Sequence, residues 1–249
     1  MNSSKVMRLF TSIPAGEPVT SRRLAALGIS ADLAVSYVRS GWLTRLARGV
    51  FSRAGDRLEL GRSLGVLREP LAGLHVGGLT ALAWQGMAPA VTPPSPPPLT
   101  LYGWDNGKLP EWFTASFPAT YHRKRIIREN PDWPLHVAPL PAQAGSAPVS
   151  EPERAFLELL SEVGVRATLH DGREVARAAV ALRAGVLQSL LLRCTSVKTV
   201  RLCLMLGREL DQPWSAKLDP VPLPRGSARA WVSRSAQGLL VLPAMGSGP

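Results

Sequence analysis

The stretch that decides the fold runs from Gly16 to Arg53: GEPVTSRRLAALGISADLAVSYVRSGWLTRLARGVFSR. Thr20 is placed to cap a short helix whose inner face is Leu24 and Leu27, and Gly28 stops that helix. Ser30 caps the next one, Ala31 to Ser40, with Leu33, Ala34, Tyr37 and Val38 at core-facing spacing and Gly41 at its end. Trp42 to Leu46 and Val50 to Ser52 are rich in strand formers, with Ala47-Arg48-Gly49 as the turn between them. Upstream, Val6, Leu9 and Phe10 stripe a further short helix, which Gly16-Glu17-Pro18 breaks. Helix, helix, tight turn, helix, hairpin is the order of a winged helix-turn-helix. We assign it to residues 1–58.

Charge follows this module. The 249 residues carry a formal net charge of +11, and residues 1–53 alone hold eight basic side chains against Glu17 and Asp32. A local excess of this kind points to a polyanionic partner. A solvated basic face, or a module that contacts protein, is the plainer reading of the same charges. Arg makes up 24 of the 29 basic residues, a bias that genome base composition also produces. With the apolar side of the third helix turned inward, its outer side carries Asp32, Val35, Ser36 and Arg39. Small residues with one Arg let a helix approach base edges closely, and the Arg can bind guanine with two hydrogen bonds. Ser36 and Arg39 are therefore the expected readers of double-stranded DNA. Arg22 and Arg23 at the second helix, and Arg45 and Arg48 beside the hairpin turn, are the expected phosphate contacts.

Residues 59–249 read as a larger α/β domain, making the whole a mixed α/β chain. Leu60, Leu64 and Leu67 suggest a helix, and His75 to Trp84 a strand turning into a helix at Gly77-Gly78. Six prolines in residues 89–98 exclude helix there and leave either a linker or a surface excursion. Leu99 to Tyr102 reads as a strand, and short strands are expected between Ile126 and Val137. Glu153 to Val163 is a helix opened by Ser150-Glu151-Pro152, with acids and a proline in its first turn. Two more helices are expected from Gly172 to Val186 and from Gln188 to Leu210, then a hairpin of residues 228–232 and 238–242. On the last helix Arg193, Lys198, Arg201 and Arg208 fall within a sector of about 140°. They form a candidate second basic surface, or simply the wet side of an amphipathic helix.

Several classes are excluded or left without support. No apolar run reaches the roughly 20 residues of a membrane span. The first residues lack the apolar core of a secretory signal. Two cysteines, Cys194 and Cys203, make no disulfide scaffold; nine apart on one expected helix, they face opposite ways and read as buried thiols. A cytoplasmic location is expected. His75, His122, His136 and His170 are scattered with no metal-ligand spacing, and no cofactor motif is present. There is no phosphate-binding Walker sequence and no Gly-x-Ser-x-Gly. None of the eighteen acids stands two before a lysine, as an Asp plus Glu-x-Lys nuclease needs. The expectation is a non-enzyme. The alternatives are a winged-helix regulator whose second domain senses a ligand, and a nucleic-acid-processing enzyme.

The chain resembles a known family. The runs Gly16-Glu17-Pro18-Val19-Thr20, Leu24 to Ser30, Tyr37 to Leu43 and Arg48-Gly49-Val50-Phe51 are similar to the N-terminal winged helix of AbiEi-type antitoxins. So, in order, are His75 to Leu82, Leu109 to Phe113, Ser150 to Ala155, Ser196-Val197-Lys198 and Pro213-Trp214. These antitoxins belong to bacterial type IV toxin–antitoxin (abortive infection) systems. The resemblance implies a repressor that binds repeats in its own promoter. It also implies a larger domain that counteracts a nucleotidyltransferase-like toxin without a stable complex. The last thirty residues match the family pattern least well.

Overall fold

The structure is a computed structural model that describes residues 3–87, 97–130, 134–139, 148–227, 229–235 and 238–243. The prolines of 89–98 lie mostly outside the described residues. Helix α1 (Ser3–Ser12) leads into strand β1 (Val19–Thr20), then α2 (Ser21–Ala26), α3 (Ala31–Arg39), β2 (Leu43–Ala47) and β3 (Val50–Arg53). The three strands form one sheet in the order β1-β3-β2, antiparallel throughout. Strand β1 is too short to leave a sequence signature; it pairs Val19 with Phe51. Both expected caps are present. Thr20 accepts from the Arg23 amide and Ser30 from the Leu33 amide, each satisfying a donor at a helix start. Leu9, Ile13, Val19, Leu24, Ile29, Ala34, Tyr37, Leu43 and Phe51 close into a small core of their own. This is the winged helix.

A second, larger core begins at Leu64. Its frame is a mixed five-stranded sheet, β6-β5-β4-β8-β7. The strands are β4 (His75–Val76), β5 (Leu99–Gly103), β6 (Ala119–Arg123), β7 (Val137–Pro139) and β8 (Pro148–Ser150). Helices α4 (Leu60–Leu67), α5 (Gly78–Trp84) and α6 (Glu111–Ser116) pack around the sheet. Behind it lies α7 (Pro152–Glu162), in which every residue from Glu153 to Glu162 is buried. Helices α8 (Leu169–Ala178), α9 (Ala184–Leu192) and α10 (Val197–Glu209) surround α7, and the hairpin β9 (Trp231–Ser235) and β10 (Gly238–Leu242) ends the described chain.

Two expected helices are divided differently. Helix α8 stops at Ala178 rather than continuing to Val186, and the Trp214 indole N–H donates to the Ala179 carbonyl at 2.8 Å. The expected helix from Gln188 to Leu210 is broken at residues 193–196. The segment 126–128 runs alongside the break: the Thr195 amide donates to the Ile126 carbonyl at 2.8 Å, and the Arg128 amide to that of Arg193 at 2.9 Å. Ile127 and Cys194 thus form an isolated bridge, and of the expected 126–137 strands only that bridge and β7 form among the described residues. Cys194 therefore lies outside α10, and the two cysteines do not share a helix. Both are nevertheless buried free thiols.

The winged helix is fastened to the larger core. Leu46, Ala47 and Val50, the inner side of the wing, pack against it together with Leu58 and Leu60. The Glu59 amide donates to the Gly16 carbonyl at 2.9 Å, and the Gly16 amide to Asp56 at 2.8 Å. Gly16 has a φ of +73°, and a Cβ there would sit 2.7 Å from the Arg57 carbonyl oxygen. Only glycine fits this junction without strain.

Candidate nucleic-acid interface

Helix α3 presents two faces. Ala34 and Tyr37 are buried at 3% and 1% exposure, and Leu33 and Val38 are half-buried. Asp32, Val35, Ser36 and Arg39 are exposed. Asp32 lies in the first turn, where a carboxylate suits the positive end of the helix dipole. Arg45 and Arg48 are also exposed, the latter in the two-residue turn between β2 and β3. Among the described residues no carboxylate pairs with Arg39, Arg45 or Arg48. Arg22 and Arg23 differ. Arg22 pairs with Glu69 of the segment following α4, and Arg23 pairs with Glu17. Both line a cleft of about 540 Å³ between α2 and α4, which also takes in Thr20, Arg62 and the small residues Ala26, Gly61 and Gly65.

The expected second basic surface is not assembled. Arg201 is 2% exposed and donates to the carbonyls of Arg225, Ser227 and Arg229, tying the chain that leads to β9 onto α10. Lys198 donates to the carbonyls of Ser161 and Val163 at 2.7 and 2.6 Å, closing the end of α7. Arg193 and Arg208 remain exposed, but Arg193 lies in the break and Arg208 at the far end of α10. Helical projection places residues on a common face only if the helix is continuous, and this one is not.

The charged groups that the sequence did not single out are in the larger core. Glu158 accepts four hydrogen bonds. His75 Nε2 (2.7 Å) and Arg154 Nε (2.9 Å) reach one oxygen; the Ser150 hydroxyl (2.9 Å) and the Gly78 amide (3.1 Å) reach the other. Arg154 also holds Glu129 with both terminal nitrogens at 2.8 Å. The other His75 nitrogen faces the Gly73 carbonyl at 2.7 Å. Both ring nitrogens of His75 thus face acceptor oxygens. His75, Glu158, Arg154 and Glu129 form one buried hydrogen-bonded tetrad. Burial would raise the Glu158 carboxyl, but His75 and Arg154 outweigh it and hold it down at about 2. A Cβ on Gly77 would come 2.1 Å from Glu158 Oε2, so the Gly77-Gly78 turn receives a carboxylate of its own chain.

A second set lies one turn along α7. Glu162 contacts Lys124 at 2.7 Å, His122 at 3.1 Å and Arg166 at 3.0 Å. Burial opposes its ionisation, yet His122 and Lys124 bring it to about 2. Tyr102 lies between the two sets, its ring stacked on His75 at 5.9 Å and on His122 at 5.0 Å. His136 pairs with Glu151 at 2.9 Å. Three of the four histidines thus meet a Glu of residues 151–162. The signal that reveals them is α7 itself: Glu153, Arg154, Glu158 and Glu162 on a fully buried helix require partners. Among the described residues no group of three or more His, Cys, Asp or Glu is arranged to hold a metal ion. No helix of the described residues is long and apolar enough to cross a membrane.

Comparisons with known proteins match the chain in two parts, which meet between residues 92 and 97 rather than at residue 58. Residues 2–92 match a family model described as a transcriptional regulator, AbiEi antitoxin N-terminal domain. Residues 97–242 match one described as a transcriptional regulator, AbiEi antitoxin, of type IV toxin–antitoxin systems. No curated protein matches. Among solved structures, the crystal structure of the RV2827C protein from Mycobacterium tuberculosis is similar with a TM-score of 0.55 at 18% identity. The match covers 95% of this chain and 91% of that one, and it shows a shared fold.

Proposed function

This chain belongs to the AbiEi family of antitoxins and transcriptional regulators of type IV toxin–antitoxin systems, and from that premise we propose that it represses its own operon by binding operator DNA through the winged helix. The observation that carries the reading is the outer face of α3. Small side chains and Arg39, none of them engaged by a described carboxylate, stand on a helix whose opposite side is locked into a core. Ser36 and Arg39 read base edges. Arg45 and Arg48 hold phosphates, and Arg22 and Arg23 do so on exchanging Glu69 and Glu17 for the backbone. The larger domain opposes a nucleotidyltransferase-like toxin in the cytoplasm, without a stable complex. The reading assigns no catalysis to the buried tetrad. With side-chain exposures of 1–3%, its groups are closed to a substrate and serve to fix the sheet on α7.

The test is binding of the purified protein to its own upstream DNA and to a scrambled duplex of equal length, at two salt concentrations. A preference of about a thousandfold or more, typical of specific binders, is expected. Equal, salt-sensitive binding to both duplexes would reduce the winged helix to a general polyanion surface and overturn the assignment.

A further inference from the structure

The far end of α7 carries an arrangement that capping alone does not require. Two lysines from different elements end on one backbone oxygen. Lys124, just after β6, reaches the Ser161 carbonyl at 2.8 Å, and Lys198, in the first turn of α10, reaches it at 2.7 Å. The two Nζ atoms therefore stand no more than about 5.5 Å apart, the two bonds laid end to end, where like charges repel. Glu162 takes Lys124 at 2.7 Å, Arg166 at 3.0 Å and His122 at 3.1 Å, so its one charge is already shared. The negative end of α7 adds about half a charge. Together these favour one ammonium and not two. Lys124 has the carboxylate, whereas Lys198 has the carbonyls of Ser161 and Val163. Lys198 also opens α10, whose positive end disfavours a cation.

A neutral Lys198 fits this place better than a charged one. An amine keeps two N–H groups, one for each carbonyl, and its remaining tetrahedral position becomes a lone pair. Both bonds to the end of α7 survive, and the repulsion with Lys124 is gone. Burial pushes the Lys198 amine down to about 8, the Lys124 charge adds to this, and Glu162 offsets only part of it. Lys124 and Arg166 outnumber Glu162 here, and the excess positive charge draws an anionic reagent. Arg166 is 54% exposed, so this edge of α7 opens to water. We propose that Lys198 is an acylation site whose amine takes the acyl group of an acyl phosphate. The lone pair attacks the carbonyl carbon and forms a C–N bond. The C–O bond to the phosphate breaks, its electron pair leaves with inorganic phosphate, and the surplus proton on nitrogen passes to that phosphate. The product is a neutral amide with a single N–H, so acylation releases one of the two carbonyls that Lys198 holds at the end of α7.

The experiment treats the full chain with acetyl phosphate and follows Lys5, Lys108, Lys124, Lys198 and Lys217 separately by mass spectrometry after digestion. At about pH 7.5 roughly a quarter of an amine titrating at about 8 is neutral, against about one in a thousand of an ordinary lysine. A weaker base is also a weaker nucleophile, so Lys198 is expected to react about tenfold faster than the exposed Lys108 and Lys217. Its rate should level off above about pH 8 while theirs climb toward about pH 10. Lys124→Gln removes the neighbouring charge and should slow Lys198 about threefold. In guanidinium chloride the advantage should vanish. Three results overturn the proposal. One is a Lys198 that reacts no faster than Lys108 and Lys217, or whose rate climbs with theirs. Another is an advantage that survives unfolding, which assigns it to local sequence. The third is a Lys124→Gln protein that keeps its near-UV circular dichroism and the parent rate at Lys198.

Discussion

Replacing Glu158 by Gln keeps the shape of the side chain and removes its charge, so the substitution isolates what the buried tetrad contributes. Glu158 is 1% exposed and accepts from four donors, and its pKa falls from 4.5 to about 2. A shift of that size corresponds to about 3 kcal/mol at neutral pH. Removing one partner of a buried ion pair costs about 3–5 kcal/mol by experience elsewhere, so the two routes agree. For a domain of this size the loss lowers Tm by roughly 6–20 °C. Because the folded pKa is depressed, the contribution is present in full above the unfolded value near 4.5 and disappears as pH falls through about 2. Urea titration followed by near-UV circular dichroism, at pH 7 and at steps from pH 5 to pH 2, measures both. Glu158→Gln is expected to lose about 3 kcal/mol at pH 7 and to converge on the parent protein in acid. A loss below about 1 kcal/mol, or two curves that stay parallel down to pH 2, would refute the charged tetrad.

Gly16→Ala places a Cβ against the Arg57 carbonyl at a φ of +73° and should cost about 1–3 kcal/mol; an unchanged urea midpoint would show that the junction relaxes freely. Burial pushes the Cys194 thiol up to about 11 and Cys203 higher still, so neither should react with a disulfide reagent at pH 8 until the chain is unfolded. Fast labelling of the native protein would contradict that burial. Arg39→Ala should cost about 1–3 kcal/mol on operator DNA and relax preference at one base pair, whereas Arg23→Ala should weaken all sequences alike and flatten the salt slope by about one. Equal losses on every duplex for both variants would remove Arg39 from the reading role.

Much of the winged helix is legible because its signals are local. Thr20 and Ser30 each find their amide three residues on, and the stripes of α2 and α3 need no knowledge of the rest of the chain. Helix α7 is legible for the same reason. The helices after it are not, because what ends them is distant. The break at residues 193–196 contains no proline or glycine; it follows from backbone pairing with Ile126 and Arg128. The histidines mislead for a related cause. His75 and Glu158 are separated by 83 residues, and no spacing rule joins them. The basic sector on α10 fails because burial, not charge, decides the fate of Arg201.

The stitched junction around Gly16 bears on how binding specificity can be exchanged between relatives. A chimera cut after residue 58 would carry α3, the proposed reading helix, intact. It would also separate Gly16 from Glu59, Ala15 from Arg62 and Arg22 from Glu69, and lift Leu46, Ala47 and Val50 off a foreign core. Transplanting only the outer face of α3, Asp32, Val35, Ser36 and Arg39, touches none of these seams. On the proposed reading of α3, recognition would therefore be portable as a coat of side chains and not as a cassette of backbone.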